Sequence, residues 1–196
     1  MTPHQNQQPA GKSRRALFAL ATGLCAALAV SAGSAMAGAA SLDQNSRAAL
    51  ARLYGQSVRA KEFGKLSVGI LVVPRIIKAG LLLGGMSGDG VLYEHGKVTG
   101  YYNMTGASWG LQAGAETYAY ALFFLKKSAL VYLHTSDGWA IGSGPSVVVV
   151  DKGFSQTGDT TTLTQDVYAV PFSAKGLMGS ILSLQGTKIT PIHPKP

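Results

Sequence analysis

Beyond residue 65 the chain carries few long stretches of helical periodicity and becomes a series of short apolar runs rich in Val, Ile, Leu and Tyr, punctuated by glycine. This change constrains the fold more than any other feature. Runs of four to eight apolar or alternating residues bounded by Gly, Pro, Asn or Asp are too short for stable helices and suit strands. Residues 66–74 form a continuous apolar strand ending at Pro74, residues 76–83 are rich in branched side chains, and residues 84–90 read as a glycine turn region. Residues 91–94 and 97–103, joined at His95-Gly96, predict a hairpin. Residues 106–117 continue as a Gly- and Ala-rich strand that lets neighbouring backbones approach closely. A strand through Phe124, a short helix from Lys127 and a turn at Asp137-Gly138 follow. Residues 146–151, 167–172, 180–184 and 188–192 read as further strands, with 153–162 as a polar connecting loop.

Residues 41–62 read differently. Leu42, Ala49, Leu50, Leu53, Tyr54 and Val58 recur at three- and four-residue spacings, Ser41 or Asp43 offers an N-cap, and Gly64 falls just past the end. The polar side of this amphipathic helix carries Arg47, Arg52, Arg59 and Lys61, with Lys65 following. Two placements suit it: packed by its apolar stripe on the β-domain, or lying on an anionic bilayer. The expected fold class is therefore α+β, mostly β: a curled antiparallel sheet, barrel- or sandwich-like, with an N-terminal amphipathic helix and one short helix. Regular βαβ alternation is absent, and residues 84–90 contain neither G-x-G-x-x-G nor a Walker Lys-Ser/Thr, which argues against a nucleotide-binding sheet.

Residues 1–37 read as an export signal: Lys12, Arg14 and Arg15 precede an apolar run over 16–30, and Ala35-Met36-Ala37 fits an A-x-A cleavage site. The apolar run is short for a permanent transmembrane helix. Arg14-Arg15 also fits a twin-arginine signal, whereas Leu24 before Cys25 is a poor lipobox residue. Cleavage near Ala37 leaves a single domain, residues 38–196, expected to be periplasmic or envelope-associated. The chain as a whole carries a net charge of +8; without Lys12, Arg14 and Arg15, fourteen basic residues face nine acids and the net charge is +5. That excess favours anionic surfaces such as phospholipid headgroups, while nucleic acid is a poor partner for an exported protein.

Little in the chain points to catalysis or a cofactor. Gly106-Ala107-Ser108-Trp109-Gly110 matches the G-x-S-x-G nucleophile elbow, and Asp151 or Asp166 followed by His193 would complete a Ser, Asp, His order. An elbow requires a helix directly after its serine, however, and Gly110 and Gly114 fall where that helix would begin. No enzyme is expected. His95, His134 and His193 lack metal-ligand spacing, and Cys25 is the only cysteine, so neither a metal site nor a disulfide framework is expected. Glu116 stands out inside an apolar strand and reads as a satisfied or strand-edge carboxylate.

Several blocks together resemble the SYLF domain family: Lys65-Leu66-Ser67-Val68-Gly69-Ile70-Leu71-Val72-Val73-Pro74, Ile77-Lys78-Ala79-Gly80, Gly84-Gly85, Gly88-Asp89-Gly90, residues 106–115 (GASWGLQAGA) and Lys175-Gly176-Leu177-Met178. The resemblance spans roughly residues 45–192. It implies a lipid-binding module without cofactor, since eukaryotic members bind phosphoinositides and membranes and some bind actin. An exported chain has no access to cytoplasmic actin, so anionic phospholipid is the expected partner. Arg59, Lys61, Lys65, Arg75 and Lys78 are the expected headgroup contacts, and Leu50, Leu53, Tyr54 and Val58 the expected membrane-insertion face. The alternative is a structural envelope or protein-interaction module whose partner is an envelope protein.

Overall fold

The computed structural model describes residues 38–80, 83–109, 115–150, 163–173, 176–177 and 184–194. The expected signal at 1–37, the loop at 153–162 and all but the last residue of the strand expected at 180–184 lie outside these.

The N-terminal helical region is two helices, α1 (Ala39–Gln56) and α2 (Val58–Leu66), where the periodicity predicts one. The break is Ser57, extended at φ −144° and ψ 112°. Its backbone N–H closes α1 on the Leu53 carbonyl at 2.9 Å, and its hydroxyl accepts the Ala60 N–H of α2 at 3.1 Å. A serine serves well here because its side chain satisfies a donor that the second helix would otherwise leave open. α1 also starts earlier than expected, with Gly38 at the N-cap position; the Ser41 hydroxyl donates back to the Gly38 carbonyl. Gly64 lies inside α2 rather than beyond it, and a Cβ there would collide with the Tyr54 hydroxyl.

The strands are β1 (Gly69–Gly80), β2 (Leu83–Glu94), β3 (Lys97–Trp109), β4 (Ala115–Phe124), β5 (Trp139–Ala140), β6 (Val147–Val149), β7 (Val167–Ser173), β8 (Gly176–Leu177) and β9 (Thr187–Pro191), with helix α3 (Lys127–Thr135) after β4. They build a mostly β, α+β fold in which one sheet, ordered β5-β9-β3-β2-β1-β4-β7-β6 with β8 also on β7, curls into a half-barrel. The sheet is mixed rather than wholly antiparallel, because β6 runs parallel to β7. Residues 150–166 supply a connection of the dozen or more residues that a parallel pair needs.

Two expected strands flanking Pro74 are one. The register of β1 shifts between Val73 and Ile76 against β4 and between Val72 and Ile77 against β2, so the strand bulges around Pro74 and Arg75. A central strand tolerates proline, which has no N–H to donate, only where the ladder is interrupted in this way. The glycines at 84–90 are likewise strand residues of β2, each opposite a partner on β3. The hairpin between β2 and β3 turns at His95 (φ 50°) and Gly96 (φ 77°), the positive pair that a two-residue turn requires.

Both faces of the central strands are buried. One face packs Leu71, Val73, Ile76, Tyr120, Leu122 and Phe124 with Leu130 and Leu133 of α3, Trp139 and Ile189. The other packs Val72, Val91, Ala121, Phe123 and Val170 beneath Leu42, Ala49 and Leu53 of α1 and Ala60 and Phe63 of α2.

Candidate functional site

The helical layer fixes which side chains can meet a ligand. α1 is tied down by Ser46, whose buried hydroxyl reaches the Val72 carbonyl of β1 at 3.5 Å, and by Asp43, which accepts the Tyr93 hydroxyl at 2.7 Å. α2 is anchored by Phe63, stacked on Tyr168 at 4.8 Å and tilted against Phe123 at 5.8 Å. With Ala60 and Phe63 inward, the helical repeat turns Val58, Lys61, Glu62, Lys65 and Leu66 outward together, at i, i+3, i+4, i+7 and i+8. Val58 is 77% exposed and Leu66 58% exposed, so two uncovered aliphatic side chains bracket two lysines on one face.

The expected residues divide on this frame. Lys61, Lys65 and Val58 share the outward face of α2. Arg59 lies to its side, half-buried, with Nη1 3.6 Å from Glu62. Arg75 and Lys78 do not join them. α2 sits over the row of Ile70, Phe123 and Tyr168, and Lys78 lies eight residues further along β1, about 26 Å away at about 3.3 Å per residue. In the β1–β4 ladder Lys78 is in register with Glu116. Leu53 is fully buried, so its place in an insertion face is corrected: the stripe it belongs to packs on the sheet. Leu50 and Tyr54 are half-buried beside it. Leu66, read as the first strand residue, belongs to the exposed face; its spacing of eight from Val58 is the signal that could have found it.

A pocket of about 280 Å³ opens where α1, the last turn of α2 and the β2–β3 turn converge. Leu50 and Tyr54 from α1 and Val68 and Ile70 entering β1 give it an apolar lining, and Arg47 and His95 border it. The Arg47 guanidinium lies 4.9 Å from the Tyr93 ring centre, and its Nε donates to Asp43 at 2.9 Å. Burial, then the hydrogen bond to Asp43 and its charge, push the Tyr93 phenol far above its ordinary value, and burial also raises that of Tyr54. Both tyrosines are therefore neutral donors at neutral pH. No sequence spacing marked this pocket, because its walls come from residues up to fifty positions apart.

A second polar cluster ties α3 to the hairpin. His134 Nε2 lies 2.8 Å from Glu94 Oε1, and its Nδ1 lies 3.3 Å from the Tyr102 hydroxyl. Partial burial pushes the Glu94 carboxyl up, but its hydrogen bonds with Thr99 and His134 and the nearby His134 and His95 outweigh this and hold it below the usual range. Ser108, centre of the elbow motif, lies within β3 opposite Gly84, and the next described element, from Ala115, is a strand rather than a helix. Among the described residues there is no group of three or more His, Cys, Asp or Glu placed to hold a metal ion, and no helix long and apolar enough to cross a membrane. Neither the comparison with protein-family models nor the search of curated proteins returns a match to this chain.

Proposed function

We propose that this chain is an exported, periplasmic or envelope-associated lipid-binding module, in which the outward face of α2 meets anionic phospholipid or phosphoinositide headgroups. The observation that carries this reading is the bracketing of Lys61 and Lys65 by exposed Val58 and Leu66 on a helix held to the sheet by its opposite side. Lysines so placed lay their alkyl stems along an apolar surface and keep the ammonium at headgroup level. Each basic residue near an anionic surface contributes about 1 kcal/mol, and partial insertion of Val58 and Leu66 adds apolar burial at about 25 cal/mol per Å². Glu62 on the same face subtracts from this, although its pairing with Arg59 blunts its charge. The resemblance to the SYLF domain family supports the same reading, and the net charge favours it.

The test is vesicle co-sedimentation of residues 38–196 with phosphatidylglycerol, cardiolipin, phosphatidylinositol phosphate or neutral phosphatidylcholine. Binding is expected to anionic vesicles only. It should fade as the Debye length shortens from about 10 Å at 0.1 M salt to about 3 Å at 1 M. Lys61→Glu with Lys65→Glu should abolish sedimentation while leaving the thermal midpoint nearly unchanged, because both side chains are exposed. Binding that survives this reversal would remove α2 from the reading. Ile77, 44% exposed on the sheet beyond the helices, favours the second reading, an envelope protein as partner; no sedimentation with any vesicle would move the conclusion there.

A further inference from the structure

We propose that the pocket between α1, the last turn of α2 and the β2–β3 turn binds a single-chain amphipathic anion, an alkyl carboxylate or alkyl phosphate. This site is separate from the outward face of α2 and does not depend on the membrane reading.

Three features define the ligand. The first is charge. Arg47 and His95 line the pocket and no acid does. Asp43, one turn before Arg47 on α1, is occupied by Arg47 Nε and by the Tyr93 hydroxyl. This arrangement fixes the guanidinium through Nε, and among the described residues no carboxylate pairs with its two terminal nitrogens. Those terminal groups form the fork that matches a carboxylate or a phosphate. The second is the apolar lining of Leu50, Val68, Ile70 and the Tyr54 ring, which favours an alkyl chain over a sugar or a bare ion. The third is size. A pocket of about 280 Å³ is small for a folded or two-chain lipid and suits a single short chain with its acid head.

Backbone chemistry keeps the space open. Gly64 lets the Tyr54 hydroxyl lie against α2, where a Cβ would strike it. His95 and Gly96 hold the hairpin turn at positive φ, and both line the pocket. Pocket and helix face are therefore built from different residues: the face from α2 alone, the pocket mostly from α1, the start of β1 and the hairpin turn.

Titration of the protein with octanoate, octyl phosphate, octanol and acetate, followed by calorimetry or amide chemical shifts, separates the terms. Octanoate or octyl phosphate should bind about tenfold or more tightly than octanol, since a charge-assisted hydrogen bond contributes about 1.5–3 kcal/mol and tenfold corresponds to 1.4. Acetate should show no binding at the same concentrations. Leu50→Trp, which fills the lining, should remove binding. His95→Asn preserves a residue type that tolerates positive φ and should weaken the two anions about threefold or more without changing octanol. Arg47→Gln should bring octanoate down to the affinity of octanol. Lys61→Glu with Lys65→Glu should leave octanoate binding intact, so a failure on vesicles and a failure in the pocket are read separately. Equal affinity for octanol and octanoate, or octanoate binding unchanged in both the Leu50→Trp and His95→Asn variants, overturns the proposal.

Discussion

Gly88 and Gly90 stand in β2 beside the bulge of β1, and each is there for want of a side chain. A Cβ on Gly90 would lie 2.7 Å from the Val72 carbonyl oxygen and 2.8 Å from Val73 Cγ2; one on Gly88 would meet the Arg75 carbonyl oxygen. Backbone atoms on a central strand have little freedom to withdraw. Gly90→Ala is therefore expected to destabilise by about 1–3 kcal/mol in chemical denaturation, despite the gain that Ala normally brings in strand entropy. The same glycines read as turn formers in the sequence because a glycine that permits positive φ and one that permits close approach look alike there. His95-Gly96 was legible, by contrast, because two apolar runs flank it at hairpin spacing. Asp166 shows a different residue-scale dependence. Its carboxylate accepts the Ser146 N–H and hydroxyl, each at 2.8 Å, which holds its pKa below the ordinary value. A carboxyl depressed in the fold contributes stability above the unfolded value of about 4 and loses it as pH falls through the folded value. Glu94 acts with the same sign. The thermal midpoint should therefore be flat near neutrality with respect to these two groups and fall in acid. Asp166→Asn should lower the neutral midpoint and make the acid decline shallower.

At the scale of elements, Ser57 decides where one helical run becomes two. Its hydroxyl is the N-cap of α2, and replacing it with Ala is expected to cost about 1 kcal/mol, lowering the thermal midpoint by roughly 2–4 °C. The loss of a cap at this joint should also loosen the face that carries Lys61 and Lys65. Periodicity ran through Ser57 unbroken because Leu53, Ala60 and Phe63 remain inward on both sides of it, so a pattern of apolar spacings had no reason to register the break. Pro74 misled in the opposite direction, ending a strand on paper that a bulge carries through in the fold. The end of β4 and the start of α3 were legible almost to the residue, since the aromatic and aliphatic run to Phe124 gives way abruptly to Lys126 and Lys127, whereas the strand expected over 106–117 is divided between β3, which ends at Trp109, and β4, which starts at Ala115.

Over the whole molecule, mostly β architecture followed from short apolar runs and glycine, whereas the order of the strands did not. Sequence spacing has no term for β6 lying parallel to β7 or for β9 pairing with β3. The candidate site divided for the same reason. Lys61 and Lys65 share a helix turn and stayed together; Arg75 and Lys78, close to them in number, were carried along β1, Arg75 to the bulge at its middle and Lys78 towards its far end. Arg47 and His95, distant in number, were brought to one pocket by the hairpin folding under α1.

The placing of β9 also sets an order of completion. β1 to β4 and β7 adjoin one another on one side of the sheet, but Trp139 has its strand partner, Ile189, only in the last described strand. Until residues 187–191 arrive beside β3, Met104 and Trp139 lack a wall that the finished core gives them. β9 is thus the strand that joins β3 to β5, and Ile189 on it completes the packing around Met104 and Trp139 that the earlier strands leave open.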